Sequence, residues 1–248
     1  METVKYDEYI LNRKEKLFIS FFLCAILGIT GNLFFRSFIL VLLFPGCIRK
    51  VEEIYISYKI KKRKRMLLLQ YRDLLYELSS SFSSGRHMEE ALRESLGKLS
   101  LIYSGNADIV REVSGMLEGI DNGNTDLEVW EDFSLRSNIE DIREFVMVFR
   151  VCRETGGDFI SVLNRAAALI GEKIVLEDEI KTMMLQKETE GNIIMAMPFI
   201  LLLFLKICSP SYLLPMYETL QGRLIMLFSL ILIIVAYKIT EKVVSVNI

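Results

Sequence analysis

The stretch "RETGGDFISVLNRAA", residues 153–167, sets two adjacent glycines inside text that otherwise carries a helical pattern. A glycine pair there can be a phosphate cradle, a hinge or the corner between two helices. The same phrasing recurs elsewhere in the chain. Gly85 is followed by Met88, Ala91 and Leu92, and Gly156 by Phe159, Val162 and Leu163, at the same offsets of three, six and seven. Gly123 precedes Leu127 and Trp130 in a similar phrase shifted by about one residue. Each glycine can supply the positive φ that ends one helix, and an apolar face resumes at once on the next. A phosphate cradle needs a preceding strand and a G-x-x-x-x-G-K-[ST] run, and neither is present. Gly156 and Gly157 therefore read as a helix corner.

The text around these corners is helical throughout. "LLLQYRDLLYELSSSF" lines up Leu67, Leu68, Tyr71, Leu74, Leu75, Leu78 and Phe82 at spacings of three and four, with no sustained strand-like alternation nearby. Six helices are predicted near 66–84, 87–102, 106–121, 125–135, 138–155 and 158–190, the last continuing towards a membrane span. Ser137 with Glu140 and Thr125 with Glu128 both fit a capping box, and Asn106 is a third candidate cap. Between 66 and 190 there are 13 Lys and Arg against 24 Asp and Glu, a net charge of −11. Such a surface suits a docking partner, and it is also what an ordinary solvated exterior looks like.

Composition places the rest in a membrane. With 52% hydrophobic residues, 25% charged residues and a mean hydropathy of +0.34, the 248-residue chain is too apolar for a soluble domain and too charged to be membrane throughout. The block Leu17 to Ile48 would be about 48 Å long as one helix, well beyond a hydrocarbon core of about 30 Å. Gly31-Asn32 is a turn signal near its middle, which predicts two short spans in a hairpin. The block is not followed by a small-residue cleavage site, so it reads as spans rather than as a signal peptide. Ile193 to Cys208 and Arg223 to Tyr237 predict a second hairpin. Lys206, near the end of its segment, is expected to extend its ammonium to the headgroups.

The resulting division is a cytoplasmic segment over 1–16, a transmembrane hairpin over 17–48, a basic juxtamembrane segment over 49–65, a cytoplasmic helical domain over 66–190, a second hairpin over 191–237 and a tail over 238–248. The fold class is all-α. Lys and Arg gather before the first hairpin, after it and at the tail, and the short inter-span loops have almost none, so the positive-inside rule puts both termini and the central domain in the cytoplasm. Lys59, Lys61, Lys62, Arg63, Lys64 and Arg65 directly follow a span and lack interleaved aromatics. That pattern predicts contact with anionic lipid rather than nucleic acid.

Little in the sequence suggests chemistry. His87 is the single histidine and reads as a surface or helix-start residue. Glu89-Glu90 and Glu177-Asp178-Glu179 are adjacent carboxylates, which diverge around a helix and read as a charged face rather than a metal site. The four cysteines form no C-x-x-C pair. No cofactor, metal or catalytic set is expected. Trp130 and Phe133 can be core residues or partner anchors, with core packing the favoured reading.

The phrases "YELSSSFSSGRHMEEALRESL", "VCRETGGDFISVLNRAAALI" and "CSPSYLLPMYETLQGRLIM" resemble, in order and spacing, the F domain of type II secretion systems. They are most similar to the platform proteins of tight-adherence pili, the TadB and TadC branch. The resemblance covers roughly residues 66–237 and rests on Gly85 to Leu92, on Glu154, Gly156 and Gly157, and on Pro210, Tyr212, Leu213, Gly222 and Arg223. It implies a non-enzymatic platform in the inner (cytoplasmic) membrane, contacting a hexameric cytoplasmic assembly ATPase and passing its motion to pilin or pseudopilin subunits. The longer relatives carry two F domains and this chain one, which implies a second F-domain protein or a homo-oligomer. A small multi-span transporter or channel subunit is the alternative, disfavoured by the scarcity of intramembrane charge.

Overall fold

A computed structural model describes residues 5–36, 42 and 44–244. Every regular element among them is a helix: α1 (Arg13–Phe35), α2 (Phe44–Ser83), α3 (Met88–Ile102), α4 (Asp108–Asp121), α5 (Asp126–Ser137), α6 (Glu140–Thr155), α7 (Phe159–Cys208), α8 (Pro210–Glu218) and α9 (Leu220–Val244). The chain divides into two compact units, one of Met1–Ile10 with Ile56–Leu176 and one of Leu11–Tyr55 with Glu177–Ile248.

In the first unit, α3 packs on α4, α4 on α5 and α5 on α6. The stripe predicted on α2 forms its spine: Leu67, Leu68, Tyr71, Leu74, Leu75 and Leu78 are buried, with Phe82 packed against them. Around Tyr71 gather Trp130, Phe133 and Phe145, with ring centroids 6.0–6.1 Å away. Trp130 meets Phe145 edge-on at 5.4 Å, and Phe159 continues the cluster to Phe149 at 4.9 Å. Each such ring pair contributes about 0.5–1.5 kcal/mol beyond its buried area.

The corners close as expected. Gly85, Gly123 and Gly156 have φ of +78°, +94° and +69°, the region an L side chain enters only with strain. Thr125 accepts from the Glu128 N–H at 3.3 Å, and the Thr125 N–H donates to the Glu128 carboxylate at 2.7 Å, completing that capping box. The other box does not form. Ser137 is the last residue of α5 and donates to the Ser134 carbonyl, while Asn138 turns the corner at φ 47°, a conformation asparagine tolerates, and Ile139 precedes α6. Asn106 does not cap α4 either. Ala107 holds that position, and the Asn106 carbonyl accepts from Arg111.

The second unit holds the membrane-length helices. Three are long and apolar enough to cross a membrane among the described residues: Arg13–Phe35, Phe159–Cys208 over its apolar part, and Leu220–Ile239. The turn expected at Gly31-Asn32 is absent. Both residues lie inside α1, which ends at Arg36 with φ 51°, because the helical pattern outweighs a lone Gly-Asn signal. Part of the second short span expected within 17–48, at 37–41 and 43, lies outside the described residues. From Phe44 the chain returns as α2, bringing the Tyr55 hydroxyl to Glu15 at 3.4 Å.

Lys206 meets the end of α1. Its ammonium donates to the Asn32 carbonyl at 3.3 Å and to the Asn32 side-chain oxygen at 3.0 Å. The Tyr217 hydroxyl donates to the Leu33 carbonyl at 2.7 Å. Both donors satisfy last-turn carbonyls of α1 that have no partner within the helix. "SPSYLLPMYETLQG", expected as a loop, contains the short helix α8. Gly222 follows it where a Cβ would come within 2.5 Å of the Met216 Cα and the Pro215 carbonyl oxygen.

Candidate functional site: the corner cleft and the amino-terminal strap

Two of the phrases that carry the family resemblance converge. The end of α2, the starts of α3, α5 and α7 and the end of α6 surround an open cleft of about 330 Å³, lined by His87, Asp126, Cys152, Arg153, Gly156 and Gly157 among others. The three helices begin there because Gly85, Gly123 and Gly156 each reverse the chain just before them. The Asp158 carboxylate accepts from the Ser161 N–H at 3.2 Å and caps α7. Gly157 is confined by packing: a Cβ there would meet the Cys152 sulfur at 3.2 Å, and its N–H donates to the Cys152 carbonyl at 3.0 Å. Arg153 approaches Asp126 at 3.6 Å across the cleft, and Glu154 is exposed beside it. His87 holds the position before α3 without a capping hydrogen bond from its side chain. No trio of His, Cys, Asp or Glu able to hold a metal occurs among the described residues.

Trp130 is not part of this cleft. It is fully buried under Tyr71, Phe133 and Phe145, so the partner-anchor reading is replaced by the core one.

A second polar cluster joins the amino-terminal segment to the helical domain. Tyr6 is 1% exposed, and its hydroxyl donates to Glu112 at 2.7 Å. Arg136 donates to both oxygens of the same carboxylate at 2.8 and 2.7 Å and to Asp132 at 2.7 Å. Asp7 accepts from the Lys64 ammonium and from the Asn138 side chain. Burial, then the neighbouring Glu112 charge, push the Tyr6 hydroxyl well above its ordinary pKa. The Lys64 hydrogen bond lowers that of Asp7. Burial disfavours the Arg136 charge, but its bonds to Glu112 and Asp132 prevail and raise its pKa. One signal could have exposed part of this cluster: Glu112 sits on the apolar stripe of α4 between Ile109 and Met116, where a carboxylate needs a partner.

The cluster also engages part of the basic run. Arg63 faces the protein, donating to both oxygens of Asp108 at 2.9 and 2.7 Å, with its guanidinium 4.6 Å from the centre of the Tyr6 ring. The Asp108 hydrogen bonds raise its pKa. Lys64 is held by Asp7 and the Asn138 carbonyl, Lys59 lies 5.8 Å over the Tyr9 ring, and Arg65 is partly buried. Lys61 and Lys62 are exposed. Of the six residues expected to face lipid, these two alone have exposed side chains.

The class of protein is thereby set: an all-helical domain of glycine-cornered helices joined to helices of membrane length. The family model for the type II secretion system (T2SS), protein F, matches residues 74–205, from the spine of α2 through the corner cleft and into the apolar part of α7. The chain belongs to this family, whose members are structural platform components of secretion machinery rather than enzymes. No curated protein and no solved structure matches the chain.

Proposed function

We propose that this chain is the platform protein of a tight-adherence-like type IV pilus or of a type II secretion machine, coupling a cytoplasmic assembly ATPase to the extraction and polymerisation of pilins. The family match over 74–205 carries this reading. Gly85, Gly156 and Gly157 build the fold, whereas Glu154 is exposed and available to a partner. A second F-domain protein or another copy of this chain completes the platform.

The strap supports the topology. Tyr6 precedes α1 and bonds to Glu112 in the helical domain, which favours a reading with both on one side of the membrane and an even number of crossings over residues 11–55. The apolar part of α7 together with α9 adds a second pair of crossings. The cationic flanks assign the shared side to the cytoplasm of an inner-membrane protein.

Crosslinking in cells, followed by detergent purification and mass spectrometry, tests the assignment. Links from residues 66–190 to an ATPase of the secretion machinery are the expected result. Recovery of self-links alone, or of transport components, would remove the platform assignment and leave the helical fold untouched.

A further inference from the structure

Lys64 and Arg63, at the centre of the basic run, are held by carboxylates of two different origins. Asp108 belongs to the first turn of α4, and Asp7 belongs to the amino-terminal segment. The carboxylates of that segment's seat keep charged partners without it, while the Arg136 carbonyl gives up the Tyr6 N–H and the Asn138 amide gives up Asp7. Glu112 keeps both bonds from Arg136, and Asp108 keeps both from Arg63. Lifting Tyr6 and Asp7 therefore strands no buried carboxylate, the situation that makes most buried ion pairs hard to open. What is released is Lys64, which loses its carboxylate, and one face of Arg63, which loses the Tyr6 ring. Both stand next to Lys61 and Lys62, whose exposed ammonium groups already suit an anionic surface.

We propose that Tyr6–Asp7 is a releasable strap that competes with anionic lipid headgroups for Lys64 and for the face of Arg63 that the Tyr6 ring covers: closed on a neutral bilayer, it opens where the headgroups are anionic. The expected lipid contact of the basic run and its observed ion pairs are then the two ends of one equilibrium. The attraction exerted by Lys61 and Lys62 falls off within a Debye length, so salt closes the strap again. This rests on the membrane reading above.

Zero-length carbodiimide coupling of the Asp7 carboxylate to the Lys64 amine reads the closed strap directly, by mass spectrometry of the full chain in nanodiscs. In pure phosphatidylcholine the Asp7–Lys64 link forms. Adding phosphatidylglycerol lowers its yield by about threefold or more, high salt restores it, and the Lys61→Gln/Lys62→Gln variant flattens the lipid dependence. Equal yields in the two bilayers, or no link in the neutral one, would overturn the strap as a lipid-responsive element. Failure of the chain to enter either bilayer would remove the membrane reading and the strap's role with it.

Discussion

Tyr6 and Glu112, 106 residues apart, share a 2.7 Å hydrogen bond whose carboxylate is also gripped on both oxygens by Arg136. Glu112 is 5% exposed, so its charge depends on these neighbours. Replacing Arg136 with Met leaves it buried with one hydroxyl as a partner, an expected loss of about 3–5 kcal/mol. Adding Glu112→Gln removes the stranded charge and should recover at least half of that loss. Urea titration of the detergent-solubilised protein measures both; equal stability of the single and double variants would contradict this account.

The Tyr6 hydroxyl gives the fold an alkaline limit. Its folded pKa is raised above the ordinary 10.0, first by burial and then by Glu112. The associated stability is whole below pH 10 and is lost as pH rises further, because the unfolded phenol ionises while the folded one stays neutral. Tyr71, buried in the core, adds to the same decline. Tyr6→Phe should therefore cost about 1–2 kcal/mol at neutral pH and show a shallower loss of stability above pH 10. Parallel decline in the two proteins would show that this hydroxyl does not set the limit.

Alanine at the corners should act in a graded way. Gly85→Ala and Gly156→Ala each force a side chain into positive φ, at about 1–2 kcal/mol. Gly222→Ala is expected to be worse, since the obstructing atoms at 2.5 Å are backbone and cannot rotate away. Gly46 meets nothing within 4 Å and has no positive φ, so Gly46→Ala serves as the neutral control. Thermal midpoints and membrane yield rank the four.

Trp130 is the only tryptophan and reports on the core. Its emission should be blue-shifted and shielded from iodide in the folded protein. Trp130→Ala should lower stability by about 3–5 kcal/mol. Easy quenching of the folded protein would mean that the residue is not enclosed.

Glu154→Lys separates partner contact from fold. The residue is exposed on the last turn of α6, so reversing its charge should leave the thermal midpoint within about 1 °C, the scale of a few tenths of a kcal/mol. On the proposed platform reading, crosslinks from the helical domain to the assembly ATPase should fall. Unchanged crosslinking would take this residue out of the motor-facing surface.

The bundle was readable because its signals are local. Three glycines followed by resumed apolar faces and the Thr125–Glu128 box each lie within about two helical turns, and the stripe from Leu67 to Phe82 repeats every three or four residues along one helix. Errors arose where one local signal competed with another. Gly31-Asn32 lost to the helix around it, and the Ser137–Glu140 box lost to the tighter corner at Asn138. Of the strap, Glu112 on the apolar stripe of α4 is the one legible sign, because Tyr6, Lys64 and Arg136 join it through long-range contacts that leave no period in the chain. For the same reason Arg63 and Lys64 looked like lipid ligands: a run of cations does not reveal the distant carboxylates that hold it.

The distance between Tyr6 and its partners also orders the making of the protein. At about 5–20 residues per second, the ribosome needs roughly 5–20 s after Tyr6 to supply Glu112, and longer to supply Arg136. During that interval the amino-terminal segment has no seat, while α1 has already emerged. Seating of the strap is therefore a late step of biogenesis, one that follows the first insertion event and marks a helical domain assembled at least as far as the end of α5.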